Sequence, residues 1–190
     1  MKSVLISIQP KWCELIANGK KTVEVRKTRP KLETPFKVYI YCTNSRNEAL
    51  WKYQGEYYYD TQFPNERPNK ANGKVIGEFV CDEIITAELG HYCNIPCKEA
   101  QLDVLDLMDY ADEKTVYGWH ISNLVIYDKP KELNEFYTKT CISFLDGVCI
   151  APEFECGFQH CIYQGDIEPC VKTLKRPPQS WCYVEELGEE

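Results

Sequence analysis

No apolar run in the sequence approaches the roughly 20 residues needed to span a bilayer, and the opening MKSVLISIQPKW meets a proline before an apolar stretch of secretory length is complete. Both absences predict a cytoplasmic protein with no membrane partner. There is no G-x-x-x-x-G-K phosphate loop, no G-x-G-x-x-G, no H-E-x-x-H and no G-x-S-x-G. Nucleotide hydrolysis through such loops, dinucleotide redox chemistry and serine-triad chemistry therefore have no support. Histidine is scarce, at three residues, and neither His91 nor His160 has a spacing partner that would make it catalytic.

The sequence does contain enough apolar surface for a core. It has 190 residues, 44% of them hydrophobic and 13% aromatic, including 13 Tyr and 4 Trp, which excludes wholesale disorder and predicts one main domain. Net charge is -7, yet residues 1–46 hold ten Lys or Arg against three Asp or Glu. An acidic whole argues against indiscriminate nucleic-acid binding; the basic head leaves room for a local phosphate-facing surface, or is simply a solvated face.

The pattern along the chain predicts an α+β fold. SVLISI at 3–8 reads as a strand, and the helix that follows has Pro10 at its first position, Gly19 as its stop, and Trp12 with Leu15 and Ile16 on a core-facing side. Residues 22–26 alternate, with Val23 and Val25 on one side and Thr22, Glu24 and Arg26 on the other; 36–43 reads as a further strand. Residues 44–73 lose periodicity but are rich in Trp and Tyr, an insertion that needs burial or forms an exposed docking surface. A long strand or strand pair starts at Lys74 with a bend or bulge at Gly77, and Leu102, Leu105 and Met108 mark the apolar face of a short helix over 101–111. Strands are expected again over 116–130 and near Trp181 to Val184.

The most informative stretch is Gly19-Lys20-Lys21-Thr22-Val23-Glu24-Val25-Arg26, a helix stop leading into a strand. Glu24 and Arg26, two apart, point to one face, and Lys21 at the turn can lean over it. Arg26 offers a fork of donors, Lys21 a point charge and Glu24 an acceptor, a set able to hold a phosphate or a base edge. A desolvated Lys21 beside Arg26 would also be a candidate base or nucleophile. The competing reading is an ion pair of Glu24 with Arg26 or Lys21 that ties the turn to its surroundings.

These residues resemble the G-x-K-x-x-E-x-R signature of the ASCH domain family, with Gly19, Lys21, Glu24 and Arg26 in its fixed positions. The resemblance extends through LISIQPKWCELIANG, GKVIGEFVCDEI and YGWHISNLVIYDKPKEL, and PPQSWCYVEE looks like the closing strand of longer bacterial and phage-like members. It implies a small mixed β-barrel of PUA-like type with short flanking helices over residues 1–136, interrupted by the insertion at 44–73. A Cys-rich segment at 137–173 and a tail at 174–190 follow. The implied function is recognition of RNA or a modified nucleoside by Gly19, Lys21, Glu24 and Arg26. Some compact ASCH-type proteins are amidohydrolases acting on N4-acetylcytidine; Lys21 matches their lysine, while Glu24 stands where they carry threonine. Others have been read as ribonucleases, for which Lys21, Arg26 and Tyr39 or Tyr41 are the nearest candidates. An enzyme would use Lys21 and Glu24 as its catalytic residues; a protein-interaction domain is the third possibility.

Trp119 and His120 are neighbours on a strand, so only one can face the cleft; Trp119 is the candidate stacking platform, with core packing as its alternative. The eleven cysteines, in a reducing compartment, read as buried thiols or metal ligands. No C-x2-C knuckle is present, but Cys149, Cys156, Cys161 and Cys170 could close around a structural zinc. No other cofactor is implied.

Overall fold

The computed structural model describes residues 1–87, 94–139, 144–145, 148–149 and 171–188. The chain opens with β1 (Lys2–Ile8), α1 (Pro10–Ala17), β2 (Val23–Arg26) and β3 (Phe36–Cys42), then the hairpin β4 (Ala49–Tyr53) and β5 (Glu56–Asp60), then β6 (Lys74–Cys81) and β7 (Ile84–Ala87). Helices α2 (Cys97–Ala100) and α3 (Val104–Ala111) precede β8 (Val116–His120), β9 (Ser122–Glu132) and a 3-10 turn (Leu133–Glu135). Short strands β10 (Tyr137–Lys139), β11 (Phe144–Leu145), β12 (Val148–Cys149) and β13 (Val171–Thr173) lead to β14 (Trp181–Glu185).

SVLISI does not alternate because β1 lies inside a five-stranded sheet, ordered β14-β1-β3-β6-β9, with a core on each face. Val4, Ile6 and Ile8 face one core, and Leu5 joins Tyr39, Tyr41, Phe136 and Val184 in the other. The β1–β3 pair is parallel, and α1 makes up part of the connection between them. A second sheet, β2-β8-β7, supplies Trp119 to the first core and turns Val23, Val25 and Val116 toward α2 and α3 on its other side.

The two sheets share a corner. Val80 of β6 pairs with Ser122 of β9, and a few residues on Ile84 of β7 pairs with Trp119 of β8, so one long hairpin bends from sheet to sheet at Asp82–Glu83 and Ile121. Asp82 Oδ1 lies 2.7 Å from His120 Nδ1 at this corner. Among the described residues no ladder links β9 or β14 to the second sheet, so the sheets do not close into the expected barrel. The architecture is mixed α+β and dominated by strands.

Gly77 is the expected irregular point: the register shifts beside it, and a Cβ there would meet the Val125 carbonyl at 2.4 Å. The segment 101–111 departs from its expected pattern. Asp103 caps α3 by accepting from the Asp106 N–H at 2.7 Å, so the helix starts at Val104 and buries Leu107 and Ala111. Leu105 is 77% exposed and Met108 is also exposed, a correction to the apolar face read from spacing alone. The insertion at 44–73 contains the β4–β5 hairpin, whose inner residues Leu50 and Tyr57 pack into the first core.

A cleft around Lys21, Glu24 and Arg26

The signature spacing follows from how α1 ends. Gly19 takes a φ of 68°, which costs glycine little, and its N–H donates to Ile16 O at 2.9 Å while Lys20 N–H donates to Leu15 O at 2.8 Å. Lys21 N–H also reaches Leu15 O, at 3.0 Å, so the backbone of Lys21 is fixed before β2 begins. Period-two alternation then buries Val23 and Val25 on one face and sends Glu24 and Arg26 to the other.

All three charged residues meet. Arg26 Nη2 lies 2.9 Å from Glu24 Oε1, and Lys21 Nζ lies 3.4 Å from Glu24 Oε2. Arg26 also donates to the Ser7 carbonyl at 2.6 Å, and Lys21 to the Ala100 carbonyl at 2.5 Å. Each cation is thus tied to a different wall: Arg26 to the end of β1, Lys21 to the end of α2. Lys21 is 3% exposed and Glu24 6%, so this is a buried ion cluster, in which two cations surround one carboxylate and leave one surplus positive charge. Burial pulls the Lys21 ammonium below the ordinary lysine range, and Arg26 adds to this; attraction to Glu24 opposes both. Arg26 Nε is buried with no hydrogen-bond partner.

The cluster floors a cleft of about 240 Å³. Its walls are Ser7, Ile8 and Gln9 from the end of β1, Trp12 from α1, Val25 from β2, and Leu102 and Tyr110 from the α2–α3 segment. The Trp12 ring centroid lies 5.1 Å from Lys21 Nζ and 4.6 Å from Lys11 Nζ. Burial raises the Tyr110 hydroxyl pKa, keeping it a neutral phenol. Two aromatic rings, an apolar lining and a shielded cationic floor suit a planar ring that carries hydrogen-bond acceptors.

Other candidates are placed differently. Trp119 is 0% exposed, edge-on to Phe36 at 5.9 Å, and does not line the cleft, because β8 is covered by the first sheet. It is a core residue; Trp12, read from the sequence as core, packs half-buried against the first core and also lines the cleft. Gly19 does not line the cleft either; it shapes the turn that delivers Lys21. Tyr39 and Tyr41 are buried in the core on the far face of the five-stranded sheet, where the Tyr39 hydroxyl accepts from Leu187 N–H at 2.9 Å. The cleft's tyrosine is Tyr110. Sequence reading missed it because its helix was given the wrong apolar face.

The Cys156, Cys161 and Cys170 candidates, with His91 and His160, lie outside the described residues, as does the side chain of Cys149. Among the described residues no three His, Cys, Asp or Glu side chains are grouped to hold a metal. Cys13, Cys42 and Cys81 are buried thiols, and burial pushes Cys13 well up from the ordinary thiol range. No helix among the described residues is long and apolar enough to cross a membrane.

The ASCH domain family model matches residues 6–145, which takes in the second sheet, the cleft, the hairpin and the first sheet apart from β14 and the start of β1. The chain belongs to the ASCH domain family. Among solved structures, a tyrosine-to-phenylalanine variant of an ASCH protein from Zymomonas mobilis is 19% identical, covers 71% of this chain and 78% of its own, and has a TM-score of 0.50. At that identity the likeness speaks for the fold alone. The unsubstituted ASCH protein from the same organism is 20% identical over 70% of this chain and 75% of its own, with a TM-score of 0.45. A search of curated proteins finds no match. The family match and the fold likeness thus agree on an ASCH domain.

Proposed function

We propose that this ASCH domain binds a nucleobase of RNA, or a modified nucleoside, in the cleft floored by Lys21, Glu24 and Arg26. The observation that carries the reading is the pairing of a buried cluster of surplus positive charge with Trp12 and Tyr110 on the walls of a base-sized cleft. The ring stacks against Trp12, Tyr110 closes the opposite side, and its acceptor atoms meet Arg26. The same arrangement explains why the floor is ionic although a buried ion pair adds little net stability: Glu24 holds two cations in place with their directions set before a ligand arrives.

A second reading is favoured by one observation, the lowered Lys21 pKa. A lysine that loses its proton more readily can act as base or nucleophile, so an amidohydrolase or ribonuclease would use Lys21 with Glu24 as its partner. Calorimetric titration at low salt with cytidine, N4-acetylcytidine and short single-stranded RNA tests the first reading, and product analysis of the same mixtures tests the second. Binding that is weakened in Trp12→Ala, with no product, is the expected result. Product formation that disappears in Lys21→Met would replace the binding reading with the enzymatic one. Absence of binding to every probe would end the reading of this cleft as a nucleobase site.

A further inference from the structure

The β4–β5 hairpin carries aromatic rings on both faces, and only the inner face is needed for the core. Leu50 and Tyr57 point inward, while the Trp51–Tyr58 cross-strand pair and Tyr53 share the outer face. Trp51 stands 5.3 Å from Tyr58 and 5.9 Å from Tyr53, centroid to centroid, at interplanar angles of 35° and 41°. Tyr53 is 52% exposed and Tyr58 is exposed as well. The Arg67 guanidinium lies 5.1 Å from the Trp51 centroid, so a flat cation extends the row of rings.

The hairpin stands at the far end of the helix whose beginning lines the cleft. Gln9 and Trp12, at the start of α1, are cleft walls; Asn18, at its end, donates to the Tyr57 carbonyl at 3.1 Å, joining the helix to the hairpin. Eight helical residues separate the two ends by about 12 Å, the length of roughly four stacked nucleotides at about 3.4 Å each. Exposed Lys11 and Lys20 mark the two ends of this route. Two of its carboxylates are paired with cations, Glu14 with Lys20 and Asp60 with Arg67, while Glu56 keeps its charge and accepts from the Tyr58 hydroxyl. A cavity of about 650 Å³ lies between the end of α1 and the hairpin, lined in part by Glu14, Lys20, Glu56, Tyr57 and Tyr58.

We infer that the outer face of the hairpin, through Trp51, Tyr53 and Tyr58, is a second stacking surface for a single RNA strand whose leading base occupies the cleft. The inference rests on the nucleobase reading of the cleft and adds that the ligand is an oligonucleotide rather than a free nucleoside. Stacking on rings is tolerant of base identity, so this surface adds affinity with length while the cleft supplies the choice of base.

The test is fluorescence anisotropy with labelled oligocytidylate of about three, six and nine nucleotides, alongside calorimetry with cytidine and N4-acetylcytidine. Affinity should rise about tenfold or more between three and six nucleotides and then level off, in keeping with stacking gains per base. The double substitution Tyr53→Ala, Tyr58→Ala should remove that step and leave nucleoside affinity unchanged. Tyr53→Ala alone, at the more exposed ring, gives the same comparison if the double variant does not fold. Nucleoside binding with no gain from length, or a length step that survives the substitutions, overturns the second surface and leaves the cleft reading standing. Loss of nucleoside binding to wild-type protein removes both.

Discussion

The cleft buries its charges, whereas the hairpin exposes its outer aromatic rings. Around the cleft, charge is inside: Lys21 and Glu24 are sealed and Arg26 nearly so, each held by a named partner. On the hairpin, rings are outside: Tyr53 and Tyr58 face solvent. A buried charge must be oriented by its neighbours, so the cleft is rigid in its polar geometry; an exposed ring needs only a flat partner, so the hairpin is permissive. In the proposed reading, specificity belongs to the first region and reach to the second.

That contrast breaks most readily through stability. Glu24→Gln leaves two adjacent buried cations without their anion and should cost about 3–5 kcal/mol, read by urea denaturation. Trp119→Ala opens a cavity between the two sheets and should cost a similar amount, about 3–5 kcal/mol. Tyr53→Ala should stay within about 0.5 kcal/mol of wild type. A hairpin substitution as damaging as Glu24→Gln would show that the outer rings are structural after all. Trp12→Ala sharpens the comparison from the other side: ligand affinity should fall by about 1–3 kcal/mol, the range for a lost stacking partner.

A smaller effect concerns pH. Because the folded Lys21 pKa is lowered, mainly by burial, the unfolded chain holds a proton that the folded chain has released between that lowered value and about 10.4. Stability contributed by this group therefore rises with pH across that window and is flat below it. Lys21→Met should remove this rising alkaline limb in denaturation curves measured across the window. The smallest effect is on salt dependence. Two phosphate-holding cations would give a slope of about 1.5 in log affinity against log salt; with Lys21 sealed and Glu24 offsetting one charge, short RNA should show a slope nearer 0.7.

The sequence made the local chemistry legible and left closure and facing obscure. Pro10 and Gly19 bracket α1 because helix starts and stops are set by neighbouring backbone groups, and Glu24 with Arg26 share a face because strand periodicity is local. Whether strands close into a barrel depends on ladders between distant segments, which no pattern within β9 or β14 reveals. Trp119 proved to be core alone, and Trp12 both core and cleft wall, for a related reason. Helical spacing put Trp12 with Leu15 and Ile16, but Trp12 sits near the helix start where the core gives way to the cleft, and Trp119 is covered by a sheet formed from other parts of the chain. In α3 the buried pair Leu107 and Ala111 was hidden by stronger apolar residues, Leu105 and Met108, on the wrong side. The hairpin was overlooked because both of its faces are aromatic, which erases alternation.

The central claim is that the cleft holds a planar base. A crystal structure of the protein with N4-acetylcytidine or a short oligocytidylate tests it most directly. The expected result is a ring stacked on Trp12 beneath Tyr110, with an acceptor atom at hydrogen-bond distance from Arg26. Ligand bound elsewhere on the surface, with the Lys21, Glu24 and Arg26 cluster unapproached, would contradict it and leave those residues as an ion cluster that only ties β2 to its neighbours.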